Sequence, residues 1–363
     1  MDHYEGSLTL SNLELVVLAL RCLSNRDVDR HSHFAGDLSY VLMGLLRRRP
    51  RATRDDSDFQ AFARLSLAND SNMLLERLIC LHPKNPRQPW MHTDDAWDTQ
   101  LWDIYPTTQV AGVGHDDTVI LDGAYGAAIR WKSFARVAYD VRISWKRTIA
   151  HTFLRSSSIV FLVAIVLVYF GLVGTGAILL MISLPAILAS PYLVRVLYGG
   201  KLWNAQPWFF GFEGHLDIET IETNIFGDYQ RKLRWSPCGS PLSRHYSNEY
   251  GECVGLDPTS DPKVRDLVER ARNSEYGEQK VFTLVDTHTL TVTLFSAERP
   301  PVAVILCGSE GGMQRAVMCS YDAKTQTLYR ETVLRMETTI LQRMVRVCRF
   351  RFALRRPLPP VRA

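Results

Sequence analysis

The sequence predicts an α+β membrane protein: a helical N-terminal region, a two-helix transmembrane hairpin, and a small antiparallel β-sheet C-terminal domain with helices. Three observations predict it. Ser156 to Val194 contains no Asp, Glu, Lys, Arg or His. Helix-capping residues stand ahead of apolar positions at helical spacing through the first 82 residues. From Lys280 the apolar period changes to two, that of a half-buried strand. The chain divides accordingly into a helical region (1–82), a Trp-rich loop and β-hairpin region (83–150), the hairpin (156–195), a cytosolic α+β domain (203–336) and a basic tail (337–363).

In the helical region, Ser11-Asn-Leu-Glu14 is a capping box for a helix over about 12–24. Asp37 is placed to cap a second helix through Tyr40, Leu42, Leu45 and Leu46, which stops before Pro50. The basic run Arg47, Arg48, Arg49, Arg51 and Arg54, followed by Asp55, Asp56 and Asp58, reads as a solvated face. Phe59, Phe62 and Leu65 predict a third helix, and Leu74, Leu75, Leu78 and Ile79 a fourth, capped by Asp70 or Ser71. The sequon Asn69-Asp-Ser71 reads as part of that cap. Residues 83–106 carry Trp90, Trp97 and Trp102 among four prolines and read as a loop. Val119–Leu121 and Ala127–Trp131 flank Asp122-Gly123 as a β-hairpin. His115, Asp116 and Asp117 precede it as turn formers rather than metal ligands, and His31-x-His33 has no further ligand in range.

The charge-free run is too long for one span. As a single helix it would extend roughly 58 Å, against about 30 Å of hydrocarbon. Two helices folded back at Gly171, Gly174 and Gly176 fit better, with a single tilted span and an interfacial extension as the alternative. Lys132, Arg136, Arg142, Lys146, Arg147 and Arg155 precede the run, and Arg195 and Lys201 follow it, which places both termini on the cytosolic face. Trp145, Phe153, Tyr192, Tyr198, Trp203, Trp208, Phe209 and Phe210 form aromatic edges suited to headgroup level. The rival reading is a dinucleotide-binding turn at Gly174-Thr-Gly176, which would make the chain an NAD-dependent dehydrogenase. It fails on Leu179 at the third glycine position and on the absence of any acid between Arg155 and Glu213.

Beyond the run, Asp261-Pro262 opens a short helix. Thr289–Leu294, Val302–Leu306, Gln314–Cys319 and Thr327–Leu334 read as strands. A serine hydrolase would need Ser309 with His288 and Asp286, but Gly308-Ser309-Glu-Gly311 departs from the G-x-S-x-G elbow, and Asp286-Thr-His288 reads as a turn. In the tail, Arg343, Arg346, Arg349, Arg351, Arg355 and Arg356 stand among apolar residues without an acid. They read either as a solvated helix or as an amphipathic one meeting anionic lipid headgroups or an acidic protein partner.

The bulk composition is that of folded protein. A net charge of +4 and no nucleic-acid motif give no reason to expect nucleic acid. Seven scattered cysteines without a CxxC suit a reducing compartment, and the N-terminus shows no signal peptide. No catalytic, cofactor or metal residue is assigned.

Asp37-Leu-Ser-Tyr40-Val-Leu-Met-Gly44-Leu45 resembles the D-x-x-Y-x-L-x-G-L stretch that closes the heterokaryon-incompatibility (HET) domain of filamentous fungi. Together with "WDIYP", "VILDGA", "SPCGSPLSRH", "GECVGLDP", "CGSEGGMQRA" and "YRETVLRMET", the chain is similar to large fungal proteins that pair such a region with a membrane segment. The earlier Trp-rich HET motifs are missing, so the match is to the rear portion. The resemblance implies self/non-self recognition or death signalling through protein contacts and assigns no catalytic residue. The expectation is therefore a membrane-anchored interaction protein whose partners are the lipid bilayer and an unknown protein.

Overall fold

Alternating apolar residues in the C-terminal half pair into sheets larger than their sequence suggests, because strands from before residue 132 complete them. The computed structural model describes residues 10–24, 36–46, 48–51, 53, 55–69, 73–85, 88–131, 145–191, 209–226, 229, 231–273 and 278–357. The chain forms two compact units, one drawn from 1–131, 209–221 and 231–363, the other from 132–208 and 222–230.

The first unit is built on a nine-stranded mixed sheet. Its strands are β1 (Tyr105–Pro106), β2 (Gln109–Val113), β3 (Thr118–Asp122), β4 (Ala124–Ala128), β12 (Ala303–Glu310), β13 (Met313–Asp322), β14 (Thr327–Glu337), β15 (Val345–Val347) and β16 (Phe350–Ala353). They run in the order β15-β4-β12-β13-β14-β16-β3-β2, with β1 added to β12. A second, five-stranded sheet has the order β5-β6-β10-β11-β7, from Arg130–Trp131, Phe209–Glu213, Lys280–Asp286, Thr291–Ala297 and Arg234–Trp235 respectively. Arg244–Ser247 (β8) and Cys253–Leu256 (β9) form a separate ribbon.

Helices α1 (Asn12–Ser24), α2 (Asp37–Tyr40), α3 (Asp58–Ala68) and α4 (Leu74–Cys80) supply the N-terminal layer. The capping box ahead of α1 is present, with Ser11 N–H donating to Glu14 Oε2 at 2.6 Å and Glu14 N–H to Ser11 Oγ at 3.3 Å. Ser57 caps α3 in the same reciprocal way with Gln60. The second expected helix is shorter: α2 gives way to a 3-10 turn at Val41–Gly44. Phe62, Leu65, Leu75, Leu78 and Ile79 pack with Ile305, Cys307, Val317 and Val333 into one core. Burying apolar area contributes about 25 cal/mol per Å², so packing this layer on the sheet stabilises the unit.

Several expectations are overturned. The C-terminal β-structure is not a small antiparallel sheet; it is two mixed sheets containing parallel pairs such as β14 with β16. Val119–Leu121 and Ala127–Ala128 are strands but not a hairpin: β3 pairs with β2 and β16, β4 with β12 and β15. Gly123, at φ +76°, turns the chain between partners that already flank each strand. The basic tail is not a helix, because Val345–Val347 and Phe350–Ala353 add strands to the large sheet. Phe209 and Phe210 are core residues of β6, not headgroup-level rings.

In the second unit, α5 (Trp145–Tyr169) and α6 (Val173–Leu188) are joined at Gly171, which adopts φ +85°. The two-helix transmembrane hairpin is overturned by length. Among the described residues only Thr152–Tyr169 is long and apolar enough to cross a membrane, whereas α6 has 16 residues and contains Pro185. Sixteen residues rise about 24 Å, short of a bilayer's roughly 30 Å. The remaining helices are α7 (Ile218–Phe226) and α8 (Pro262–Arg272), the latter capped by Asp261 as its sequence suggests. The basic and aromatic flanks at 132, 136, 142, 192, 195, 198, 201, 203 and 208, and His31 and His33, lie outside the described residues.

Candidate functional site

Three features could carry function: an apolar helix surface, a buried ion network and a basic groove. The helix surface follows from composition. α5 and α6 meet through small residues: Ala164, Ser157, Gly176, Ser183 and Ala186 are buried. A Cβ on Gly176 would fall 2.5 Å from Val168 Cγ2 and 3.0 Å from the Ala164 carbonyl, so glycine lets α6 approach. The larger side chains face outward, with Leu162 65% and Met181 80% exposed, and only 11% of Thr152–Tyr169 is buried. Of the three predicted turn glycines, Gly171 makes the turn, while Gly174 and Gly176 lie inside α6. A glycine-rich segment within a helix is not the strand-to-helix turn that a dinucleotide phosphate needs.

The buried network staples the Trp-rich loop to the large sheet. Arg315 on β13, fully buried, makes a bidentate pair with Asp95, Nη1–Oδ1 2.9 Å and Nη2–Oδ2 3.1 Å. Its Nε donates to Glu310 Oε2 at 2.7 Å. Arg335 on β14 donates to Glu310 Oε1 at 2.5 Å and to Thr99 Oγ1 at 3.0 Å. Both guanidiniums lie over Trp97, at 4.7 and 4.5 Å. Two cations thus meet two carboxylates, and the cluster is neutral. Trp90 packs on Phe59 and Phe62, and Arg21 lies over Trp102, so the loop's tryptophans work inward. Spacing gave no sign of this network, because its bonded members lie up to 236 residues apart.

The groove opens at the strand ends of the large sheet, where the β13–β14 turn, the start of β16 and the turn before β3 converge. It has a volume of about 650 Å³. His115, Asp116, Tyr321, Lys324, Arg349 and Arg351 are among its lining residues. Sequence reasoning had set His115 and Asp116 aside as turn formers and placed Arg349 and Arg351 in a separate tail; parallel pairing of β14 with β16 brings them together. Arg349 Nε lies 3.1 Å from Asp122 Oδ2 in an exposed pair. Arg346, on β15, lines a second cavity of about 530 Å³ beside Asp122 and Thr108. Arg343 ends the 3-10 turn Thr338–Arg343, Arg355 is exposed, and Arg356 lies over Tyr329 with a 3.2 Å bond to Ser320 Oγ.

The hydrolase residues do other work. Asp286 accepts from the backbone N–H of His288 and from Thr289 Oγ1, closing the β10–β11 turn, and burial pushes its carboxyl up. Ser309 sits in the large sheet, paired in register with Tyr105 and Gln314. Asp286 and His288 belong to the other sheet's turn. A different His–carboxylate pair, His215 Nε2 with Asp257 Oδ1 at 3.0 Å, stacks on Trp235, and Asp257 also holds Thr259. The Tyr40 of the HET-like stretch donates to Asp56 Oδ2 at 3.0 Å, and Leu42 is buried, so these two positions serve packing. Comparison with protein-family models, curated proteins and solved structures returned no match to this chain.

Proposed function

We propose that the protein is a membrane-anchored interaction protein, held by α5 and α6 and displaying its sheet body to partners on one face of the bilayer. The observation that carries this reading is the outward apolar surface of α5, 11% buried over Thr152–Tyr169. A patch this continuous is unfavourable in water and marks contact with lipid or protein. The first unit supports both flanks of the helix pair lying on one side. β4 before the apolar helices pairs with β12 after them, so the chain leaves and re-enters the same folded body. A helix crossing once would tear that sheet between compartments. With a return limb too short to span, the pair enters from one face and returns to it, a monotopic insertion. Both termini then share the cytosolic side, in keeping with seven unpaired cysteines. In the HET-like reading, the partner is a protein engaged in self/non-self signalling, and chemistry at a catalytic site is not part of the role.

The test is alkaline carbonate extraction of the expressed chain, followed by protease digestion of sealed vesicles with a tag at each terminus. The protein stays with the membrane pellet, and both tags are cleaved or protected together. Release by carbonate, or tags of opposite sensitivity, overturns the reading.

A further inference from the structure

Outside the membrane reading, and independent of it, the groove beside β16 carries a charge pattern that its own fold does not use. Lys324, in the β13–β14 turn, and Arg351, on β16, both line it, and among the described residues neither side chain has an ion-pair partner. Arg349, the third cation, is tied only to Asp122 in a solvent-exposed pair, which exchanges readily. His115 and Tyr321 line the same space, two side chains able to donate hydrogen bonds. Lys324, Arg349 and Arg351 outnumber the single lining carboxylate, Asp116, in a groove of about 650 Å³, so the lining carries excess positive charge.

We infer that this groove binds a phosphate monoester, its guanidiniums meeting phosphate oxygens in planar forks and Lys324 adding a point charge. Two arginines favour phosphate over a lone carboxylate, because the tetrahedral dianion offers each guanidinium its own pair of oxygens. Asp116 is the one carboxylate among the lining residues, so it opposes the ligand and sets a sign test. The ester is either free in solution or the headgroup of a lipid, and the experiment separates these sources.

The full chain in neutral detergent is titrated calorimetrically with glycerol 3-phosphate. In parallel it is mixed with phosphatidylcholine vesicles, with and without phosphatidic acid. Lys324→Gln and Arg351→Gln each weaken binding about fivefold, the loss of one cation at roughly 1 kcal/mol. Asp116→Asn tightens it, and Arg346→Gln, outside the groove, leaves it unchanged. Circular dichroism melts confirm that the variants fold alike. Saturable binding of glycerol 3-phosphate supports a soluble ester, and retention that rises only with phosphatidic acid supports a headgroup. Absence of both, or an Arg346→Gln loss equal to that of Arg351→Gln, overturns the site; neither result bears on carbonate extraction.

Discussion

The same residue types are used in opposite ways in the two units. In the sheet body, Val304, Ile305 and Leu306 are fully enclosed, and the Trp-rich loop is held by the buried Arg315–Asp95 pair. In the helix pair, Ile159, Leu162 and Met181 stand outward, and the enclosed positions are glycine, alanine and serine. A water-soluble body buries its large apolar groups and spends buried polar groups on specificity. The helix pair inverts this, with small residues setting the approach of the helices, as the proposed lipid contact requires. The difference teaches that apolar content alone assigns neither environment; what decides it is which sizes face in.

The largest expected effect is on the sheet body. Arg315→Met removes the cation from a site where Asp95 has no water to fall back on, and costs about 3–5 kcal/mol. Urea denaturation followed by tryptophan fluorescence reads it through Trp97, which lies under the guanidinium. Asp95→Leu added to Arg315→Met recovers part of the loss, since no carboxylate is then stranded. A double variant no more stable than the single one would mean the pair is not what holds the loop down. Carbonate-resistant attachment remains that of the parent chain.

The helix pair should fail in the complementary way. Leu162→Asp puts a charge on the exposed side of α5, costing about 2.5–3.5 kcal/mol at hydrocarbon depth and little in water. A lower carbonate-resistant fraction with an unchanged urea midpoint is the expected result. An unchanged fraction would place Leu162 in water and equate the two units.

How far the sequence discloses this architecture depends on the range of each interaction. Local signals carried well: the Ser11/Glu14 box and the Asp261-Pro262 start are where their residue types imply. The alternation of Thr291, Val292, Thr293 and Leu294 is a strand. Signals needing a distant partner did not carry. The arginine-rich tail reads as an amphipathic helix in isolation, yet β4 and β16's neighbours supply ladder hydrogen bonds that outweigh helical propensity. Asp122-Gly123 is a hairpin turn by composition, but β3 and β4 are claimed by other strands. The groove was invisible for the same reason, since Lys324 and Arg351 meet only through the β14–β16 register. Length, not hydropathy, corrected the membrane reading: α6 ends too soon.

The smallest effect sharpens the comparison through pH, to which the helix pair offers almost no titrating groups. His82 in the sheet body is held neutral. Its Nδ1 lies 3.0 Å from the Pro83 carbonyl and its Nε2 3.1 Å from Thr332 Oγ1. The first fits a donating Nδ1–H and the second an Nε2 that accepts from the hydroxyl, a pairing only the neutral ring provides. Desolvation lowers its pKa to about 4, against an ordinary 6.5, with Arg330 and Arg315 adding to the drop and Asp95 opposing it. The folded state therefore takes up its proton later than the unfolded chain as acid is added. Stability from this residue is fully present above about pH 6.5 and is lost as pH falls toward 4, by up to about 3 kcal/mol. Asp286 and Glu331 work against it, since burial raises their carboxyls and their contribution grows in acid. The measurement is thus a difference: urea midpoints of the parent and of His82→Gln across pH 4 to 7. The parent curve falls more steeply below pH 6.5, and parallel curves would show that the ring is not kept neutral by its enclosure against Trp97.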